Sequence, residues 1–351
     1  MAHAKKWFAA CMTALAGSIL LMLVVFWIFD PYFHYHKPFP FVSYRMYDER
    51  YMNDGISRHF DYDAVITGTS MAQNFKPSEA DALFGVTSVK ETFSGASYKE
   101  LSENLERALR RNGELGTVIW TMDANAILRD KDYMTYDGYP TYLYDDNPWN
   151  DVRYVFNKNV WYHGVLNNLI MTLTGQQSTT LDEYSSWEKE TGYENVMASY
   201  DRWEEKAPEA PGLTAADVEM VTGNIRQNFV DLVNRYPDTT FYIFYTPYSI
   251  CWWDFMNQEG MINYYFEAEL IATEMLLECP NVKLYNFHDR YDIITDLDNY
   301  RDKEHYASHV NSMILEWLAA GEGLVTKENY MERYEQERQY YLNYDYEGFF
   351  D

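Results

Sequence analysis

Two distant places in the sequence carry residue types used in nucleophilic catalysis. Ser70 follows a short apolar run in the sequence Gly68-Thr69-Ser70, and Asp302 precedes His305 by three residues. A glycine permits a tight turn, which exposes a serine beside the backbone amides of a following helix. An aspartate at this spacing reaches the imidazole through a local turn and stabilises its protonated form. These features predict a serine nucleophile with a His–Asp base; a helix-capping serine is the alternative interpretation.

Two further turns carry groups that stabilise an oxyanion. Gly95 lies in the sequence FSGAS (93–97), and Asn125 ends the sequence MDAN (122–125). A backbone N–H from a glycine loop and an amide side chain each contribute about 3 kcal/mol to a transition state when well placed. Glycine and asparagine are also common in ordinary turns, so these two residues are candidates by their order along the chain.

Alternating strands and helices position these four motifs. The predicted helices between the strands include 98–111, 215–235 and 262–277, and the predicted strands are 64–67, 88–93, 117–122, 240–246 and 282–287. Such alternation predicts an α/β fold with a parallel sheet covered by helices on both faces, a flavodoxin-like three-layer sandwich. The motifs then meet at the carboxyl edge of the sheet.

The predicted domain organisation has four parts. Residues 1–29 form a cytoplasmic tip and transmembrane anchor, and residues 30–61 a juxtamembrane stalk. Residues 62–324 form the α/β domain, interrupted at about 126–212 by an insertion that is too long for a plain loop and that we interpret as a cap. Residues 325–351 form a C-terminal helical tail.

The N-terminal segment is long and apolar enough to cross a bilayer. Residues 7–29 form 23 consecutive positions without charge, about 35 Å as a helix against a hydrocarbon core of about 30 Å. Lys5 and Lys6 precede it, which predicts a single-pass protein of the cell membrane with its large domain on the extracytoplasmic side. A cleaved signal peptide is the alternative; bulky aromatic residues stand where a cleavage site needs small ones.

The composition excludes some classes of function. The chain has 351 residues and a net charge of −26, from 54 acidic and 28 basic residues, which disfavours binding to nucleic acid. Three cysteines are too few for a disulfide framework, and only Cys251 and Cys279 are candidates for pairing. The 33 tyrosines suit a sugar-binding surface as well as an ordinary core.

A metal site is the main alternative to the serine site. His305 and His309 are four residues apart, with Asp302 nearby and His288 upstream. The helix is predicted to begin near Ser308, however, which leaves His305 in the preceding loop, and the glutamate of a His-Glu-x-x-His motif is absent. We therefore expect no metal and no cofactor.

The order of the four motifs resembles the SGNH (GDSL-like) hydrolase superfamily. Its four blocks match Ser70 as nucleophile, Gly95 and Asn125 as oxyanion donors, and Asp302 with His305 as the catalytic pair. The first block reads Gly-Thr-Ser where the family has Gly-Asp-Ser, and the third reads Met-Asp-Ala-Asn where it has Gly-x-Asn-Asp. The N-terminal anchor is similar to that of the extracytoplasmic branch that includes alginate O-acetyltransferases and the teichoic-acid D-alanyl-transfer protein.

The resemblance implies acyl transfer at the cell envelope. The expected activity is that of a membrane-anchored serine esterase or O-acyltransferase acting on ester groups of a polysaccharide or teichoic-acid-like polymer, without a cofactor. A membrane partner that exports the acyl donor is compatible with this activity. The alternative is a catalytically inactive SGNH-like protein that binds glycans or serves as a scaffold in envelope assembly.

Overall fold

The computed structural model describes residues 2–113, 115–136, 138, 140–187, 190–203 and 205–350. These residues form two compact units. The first, called the helical unit, comprises residues 1–60 and 138–180, and the second, the sheet unit, comprises residues 61–137 and 181–351. The interval 126–212, predicted as one insertion, is therefore divided between the two units. Residues 137, 139, 188, 189 and 204 of that interval lie outside the described residues.

The helical unit contains the one described helix that is long and apolar enough to span a membrane. This helix, α1 (Ala2–Phe29), has a mean hydropathy of 2.4 over its most apolar window. The predicted stalk at 30–61 includes a further helix, α2 (Glu49–His59), in which Met52 and Ile56 are buried. The described helices of this unit are α1 (Ala2–Phe29), α2 (Glu49–His59), α6 (Val152–Val155) and α7 (Leu166–Thr174), the last preceded by a π-helical turn (Val160–Val165).

The sheet unit contains a six-stranded, mostly parallel sheet formed by described residues of the chain. The strand order is β2-β1-β3-β4-β5-β6; β1 to β5 are parallel, and β6 pairs antiparallel with β5. The strands are β1 (Ala64–Thr67), β2 (Ser88–Lys90), β3 (Thr117–Met122), β4 (Thr240–Tyr245), β5 (Val282–Asn286) and β6 (Leu324–Val325).

Helices surround this sheet. Their bounds are α3 (Pro77–Phe84), α4 (Tyr98–Arg111), α5 (Ala124–Ile127), α8 (Tyr193–Ser199), α9 (Ala215–Ile225), α10 (Asp231–Arg235), α11 (Ile250–Gln258), α12 (Ile262–Leu277), α13 (Tyr291–Ile294), α14 (Ser308–Ala320), α15 (Tyr330–Leu342) and α16 (Tyr346–Phe350). A π-helical turn (Arg226–Val230) joins α9 and α10.

The local sequence explains these elements. Strand β1 is buried at every position, as expected for a parallel strand covered on both faces. Helix α4 buries an apolar stripe that includes Leu101 and Leu105, and its first turn is closed by a capping box between Ser97 and Glu100. The predicted alternation of strands and helices is thus present, and the mixed α/β fold is confirmed.

Two features of the C-terminal region differ from the sequence interpretation. The strand at 282–286 is followed by β6, whose two residues are too short to show a periodicity. The C-terminal tail, predicted to be helical and interpreted from its charged, Tyr-rich sequence as packing on the outside, contains α15 and α16. The end of α15 is not on the surface, because Tyr341 is fully buried and stacks on Trp253 with ring centroids 3.7 Å apart.

Candidate functional site

Ser70 stands directly beyond the carboxyl end of β1. It begins a 3₁₀ turn (Ser70–Ala72) whose first amides face the Thr69 side chain, which accepts a hydrogen bond from the Met71 N–H at 3.4 Å. Gly68 has φ of +149°, and a Cβ there would overlap the Thr121 hydroxyl on the neighbouring strand β3. Only glycine therefore fits at position 68, where the chain bends sharply at the edge of the sheet before it reaches Ser70.

Asp302 and His305 lie in a loop that leads into α14. An isolated antiparallel bridge joins Tyr300 to Tyr306, and the Arg301 N–H donates to the His305 carbonyl at 2.9 Å. Both tyrosine rings are fully buried, so they hold the two ends of the loop in place. Helix α14 begins at Ser308, as predicted, and His305 precedes it.

A hydrogen-bonded chain joins the serine, the histidine and the aspartate. The Ser70 Oγ lies 2.8 Å from the His305 Nε2, although the two residues are separated by 235 positions in sequence. The His305 Nδ1 lies 2.9 Å from both carboxylate oxygens of Asp302. Each ring nitrogen therefore has one partner, which is the arrangement that a serine nucleophile and its general base require.

The charge of Asp302 is stabilised by its surroundings. Burial raises the pKa of this carboxyl. The hydrogen bond and charge interaction with His305 and the backbone N–H groups of Glu304 and His305 outweigh burial, so the pKa is lowered to about 2. Each of these backbone N–H groups donates to the Asp302 Oδ1 at 2.9 Å. The carboxylate is thus ionised at neutral pH and faces the imidazole that would become positively charged.

The carbonyl of Met71 ties the serine turn to the histidine loop. It accepts hydrogen bonds from the Tyr306 hydroxyl and from the Asn311 side chain, each at 3.1 Å. Both donors are buried, one at the end of the loop and the other on α14. These bonds explain how the separation of Ser70 and His305 is maintained without a direct backbone connection.

Trp187 contacts both the serine and the histidine, and no sequence pattern predicted it. Its indole N–H donates to the Ser70 carbonyl at 3.3 Å, and its ring meets the His305 ring edge-on at a centroid distance of 5.4 Å. The Trp187 backbone N–H donates to Asn74 at 2.9 Å, and the Arg301 guanidinium lies over the indole at 5.1 Å. The segment around Trp187 has no periodicity, so its place could be found only in the fold.

Asp123 is a buried anchor for the serine turn. Its Oδ2 accepts a hydrogen bond from the Thr69 hydroxyl at 2.7 Å, and its Oδ1 accepts one from the Tyr248 hydroxyl at 3.2 Å. Burial raises its pKa, and these hydrogen bonds oppose that shift. Because both of its carboxyl oxygens accept hydrogen bonds in the structure, Asp123 orients Thr69 and Tyr248.

Gly95 and Asn125 line the same cavity as Ser70. This cavity, called the serine cavity, has a volume of about 200 Å³ and is also bordered by Tyr133 and Glu304. Among the described residues, no acceptor is bonded to the backbone N–H of Ser70 or of Gly95. Gly95 adopts φ of +64°, a left-handed conformation that favours glycine.

Asn125 has a different partner from the one that its predicted role requires. Its side-chain amide is exposed and donates to the Glu304 carboxylate at 3.3 Å. The amide therefore lies at the mouth of the cavity, where it would have to exchange this acceptor for an oxyanion.

The proposed histidine pair for a metal is not assembled. The His305 ring nitrogens face Ser70 and Asp302, and the exposed His309 has its Nε2 2.9 Å from the Asn299 side chain. The described group with ligand atoms close enough to hold a metal consists of Glu269, His288 and Glu337, all buried. Within the described residues, the three cysteines, Cys251 and Cys279 included, are unpaired.

Comparisons of the chain with models of known protein families, with curated protein sequences and with solved structures give no match.

Proposed function

We propose that this protein is a serine esterase or O-acyltransferase of the SGNH type. The observation that carries the proposal is the 2.8 Å separation between the Ser70 Oγ and the His305 Nε2, with Asp302 at 2.9 Å on the other side of the ring. Hydrogen-bond reach is the geometric minimum for activating a serine by a histidine. Half-burial of all three residues leaves them accessible to a substrate.

The strand order supports the same proposal. The order β2-β1-β3-β4-β5 matches the strand order of flavodoxin-like three-layer sandwiches. In this order β2 is added on one side of β1 and the later strands on the other side, so the topological switch point lies between β1 and β3. Ligands of open parallel sheets bind at the carboxyl ends of strands at such a switch point. Ser70 follows β1 and Asn125 follows β3, so the serine cavity lies at this point.

The reaction proceeds in two steps. The Ser70 Oγ attacks an ester carbonyl while its proton passes to the His305 Nε2, and the N–H groups of Ser70 and Gly95 stabilise the oxyanion. Collapse breaks the ester bond, and His305 returns the proton to the leaving alcohol. Water or an acceptor hydroxyl then attacks the acyl-serine, again with His305 as base, and releases Ser70.

The substrate that best fits is an ester on a cell-envelope glycopolymer. The exposed Tyr133 gives the serine cavity an aromatic surface and Glu304 gives it a hydrogen-bonding edge, which suit a sugar ring. The proposed location at the cell envelope is supported by α1, which is long and apolar enough to span a bilayer. Lys5 and Lys6 near its start favour an orientation with the sheet unit on the extracytoplasmic side. A membrane partner would supply the acyl group if the reaction is a transfer.

The test uses the 351-residue chain in detergent and compares it with Ser70→Ala. We expect hydrolysis of p-nitrophenyl acetate, and transfer of acetyl to a de-O-acetylated polysaccharide if the acceptor is a sugar hydroxyl. Ser312→Ala is the matched control, because Ser312 lies on α14 and its hydroxyl, among the described residues, donates to the Ser308 carbonyl at 3.4 Å. Absence of both activities would contradict the proposal and favour the inactive glycan-binding or scaffold alternative.

A further inference from the structure

The helical unit exposes an apolar stripe on the helical segment 160–174, called the stripe helix. Tyr162, Leu166, Ile170 and Leu173 have 63%, 40%, 45% and 77% of their surface exposed. Their spacing of four, four and three residues places them on one face of the helix. Residues 159–174 contain no Asp, Glu, Lys or Arg, so no charge interrupts this face.

The opposite face of the stripe helix is packed against the rest of its unit. Gly164 is buried against Pro31, and a Cβ at this position would stand 2.6 Å from the proline ring. Asn168 is fully buried and accepts a hydrogen bond from the Arg45 N–H at 2.9 Å. Val160 and Val165 are buried on this side as well, so the stripe helix already has an apolar inner face, and the exposed stripe is a second apolar face.

The stripe helix lies beside the end of α1. Trp161 at its start contacts Phe26 of α1 with ring centroids 5.5 Å apart, and Pro31 follows α1 directly. Trp7 and Trp27 of α1 are exposed and 20 residues apart, which corresponds to about 30 Å along a helix and matches the hydrocarbon thickness. Since tryptophan is enriched at both membrane interfaces, Trp27 marks the level of the outer one.

A second exposed aromatic group stands near Trp27. The Trp27 ring packs on His36, and Phe39 contacts Trp27 at 5.6 Å and stacks on Phe41 at 5.2 Å. Phe41 has 66% of its surface exposed. Trp27 and Phe41 are thus exposed aromatic residues near the end of α1, against which Trp161 of the stripe helix also packs.

We infer that the stripe helix lies in the outer interface of the bilayer, with Leu166, Ile170 and Leu173 inserted among the lipids. This inference rests on the proposed membrane anchor α1 and is independent of the proposed chemistry. The occupant is lipid because the stripe helix packs against the end of α1 through Trp161 and Phe26 and carries no Asp, Glu, Lys or Arg. An interfacial helix of this kind is bound by burying its apolar face at the boundary of headgroups and acyl chains.

The test measures the depth of single labels in the full chain. Ile170→Cys and Leu173→Cys would be made with Cys11→Ser, leaving the buried Cys251 and Cys279 in place. A polarity-sensitive fluorophore on each new cysteine is then followed in vesicles of phosphatidylcholine and phosphatidylglycerol. The quenchers are iodide in water and nitroxide lipids labelled at shallow or deep positions.

The inference predicts a blue-shifted emission at both positions, several-fold weaker quenching by iodide than at Glu332→Cys, and strongest quenching by the shallow nitroxide lipid. Glu332 is an exposed position on α15 and serves as the aqueous control, and Leu15→Cys in α1 serves as the deep control. Iodide quenching equal to that of Glu332→Cys would overturn the inference. Protection from both iodide and nitroxide lipids would also overturn it, because a protein partner or a second copy would then cover the stripe.

Failure of the anchor is distinguished by the Leu15→Cys control. If that label is not quenched by the deep nitroxide lipid, α1 does not span the bilayer and the basis of the inference is wrong. Ester hydrolysis by the same samples is measured in parallel, so loss of activity and loss of lipid contact are read separately.

Discussion

In the sheet unit, His305 and His288 each lie beside carboxyl groups, but the two histidines differ in burial and in hydrogen bonding. His305 is half-buried, and both its ring nitrogens have partners, in Ser70 and Asp302. His288 is fully buried between Glu269 and Glu337, with its Nδ1 3.3 Å from the Glu269 Oε2 and 4.0 Å from Glu337. Within the described part of the chain, neither His288 ring nitrogen makes a hydrogen bond.

Burial decides which form each group takes. Around His288, the rings of Trp253 and Tyr265 lie at 5.1 and 6.0 Å, and burial lowers its pKa to about 3. Burial also raises the pKa of Glu269 to about 8 and raises that of Glu337. Burial therefore favours the neutral forms of His288, Glu269 and Glu337, although the nearby charge of Arg333 opposes the shift of the two carboxyls. Asp302 keeps its charge because it is hydrogen-bonded.

The comparison teaches that a histidine beside carboxylates is not sufficient for catalysis. A general base must exchange protons with a substrate, which requires access and a nucleophile within reach. His305 meets both conditions, while His288 joins β5 to the helices α12 and α15 inside the core. We therefore expect changes at His305 to affect turnover and changes at His288 to affect stability.

The largest expected effect is on turnover. Ser70→Ala and His305→Ala should each lower kcat for p-nitrophenyl acetate by a factor on the order of 10⁶, or to the background rate, since the nucleophile and its base act as one unit. The melting temperature should change little, because both side chains are partly exposed. His309→Ala is the matched control and should retain full activity. Comparable activity in His305→Ala would contradict the role of His305 as general base.

Asp302→Asn should have the next largest effect. The amide keeps the shape of the carboxylate but stabilises the wrong imidazole tautomer and no longer compensates the imidazolium charge, so we expect a loss on the order of 10⁴ in kcat. The loss should appear in kcat with little change in KM. A wild-type rate would remove Asp302 from the mechanism.

His288→Ala should act on stability alone. Removing a fully buried ring leaves a cavity and is expected to cost about 3 kcal/mol in free energy of unfolding, measured by urea denaturation. Turnover per folded molecule at low temperature should match the wild type. A variant that stays folded but loses activity would contradict the structural role given to His288.

The smallest effect concerns the pH dependence of stability. The folded pKa of Glu269, about 8, lies above the model-compound value of 4.5, so the folded state binds more protons between these values and stability falls as the pH rises from 4.5 to 8. His288, with a lowered pKa, makes stability fall as the pH drops from 6.5 to about 3. Thermal melts from pH 6.5 to 8 should show the first decline, and Glu269→Gln should flatten it. An unchanged slope in Glu269→Gln would contradict this assignment.

Acid titration sharpens the contrast at Asp302. Its folded pKa is lowered from 3.8 to about 2, so its contribution to stability is present above pH 4 and is lost as the pH falls through 2. This sign is opposite to that of Glu269, as expected for a carboxyl that is ionised in the folded state.

The parts of the site that depend on local sequence could be predicted. The turn at Gly68 and Ser70 follows an apolar strand, and the three-residue spacing of Asp302 and His305 brings the carboxylate to the ring within one turn. Alternating apolar runs likewise predicted the strands and helices of the sheet unit, because each run carries its own periodicity.

The parts that depend on contacts between distant segments could not be predicted. Trp187 is placed by Asn74 and Ser70, more than 100 residues away, and nothing in its own segment indicates this. The bond between Asn125 and Glu304 joins residues 179 positions apart. The division of residues 126–212 between two units is likewise set by packing rather than by any local pattern.

The most direct test of the central claim is to locate the adduct of a fluorophosphonate on the full-length protein by mass spectrometry. This reagent phosphonylates a serine only where a base activates it and an oxyanion can be stabilised. We predict a single adduct on Ser70 that is absent from His305→Ala and retained in His309→Ala and His288→Ala. An adduct on another serine, or none on the folded wild-type protein, would contradict the account.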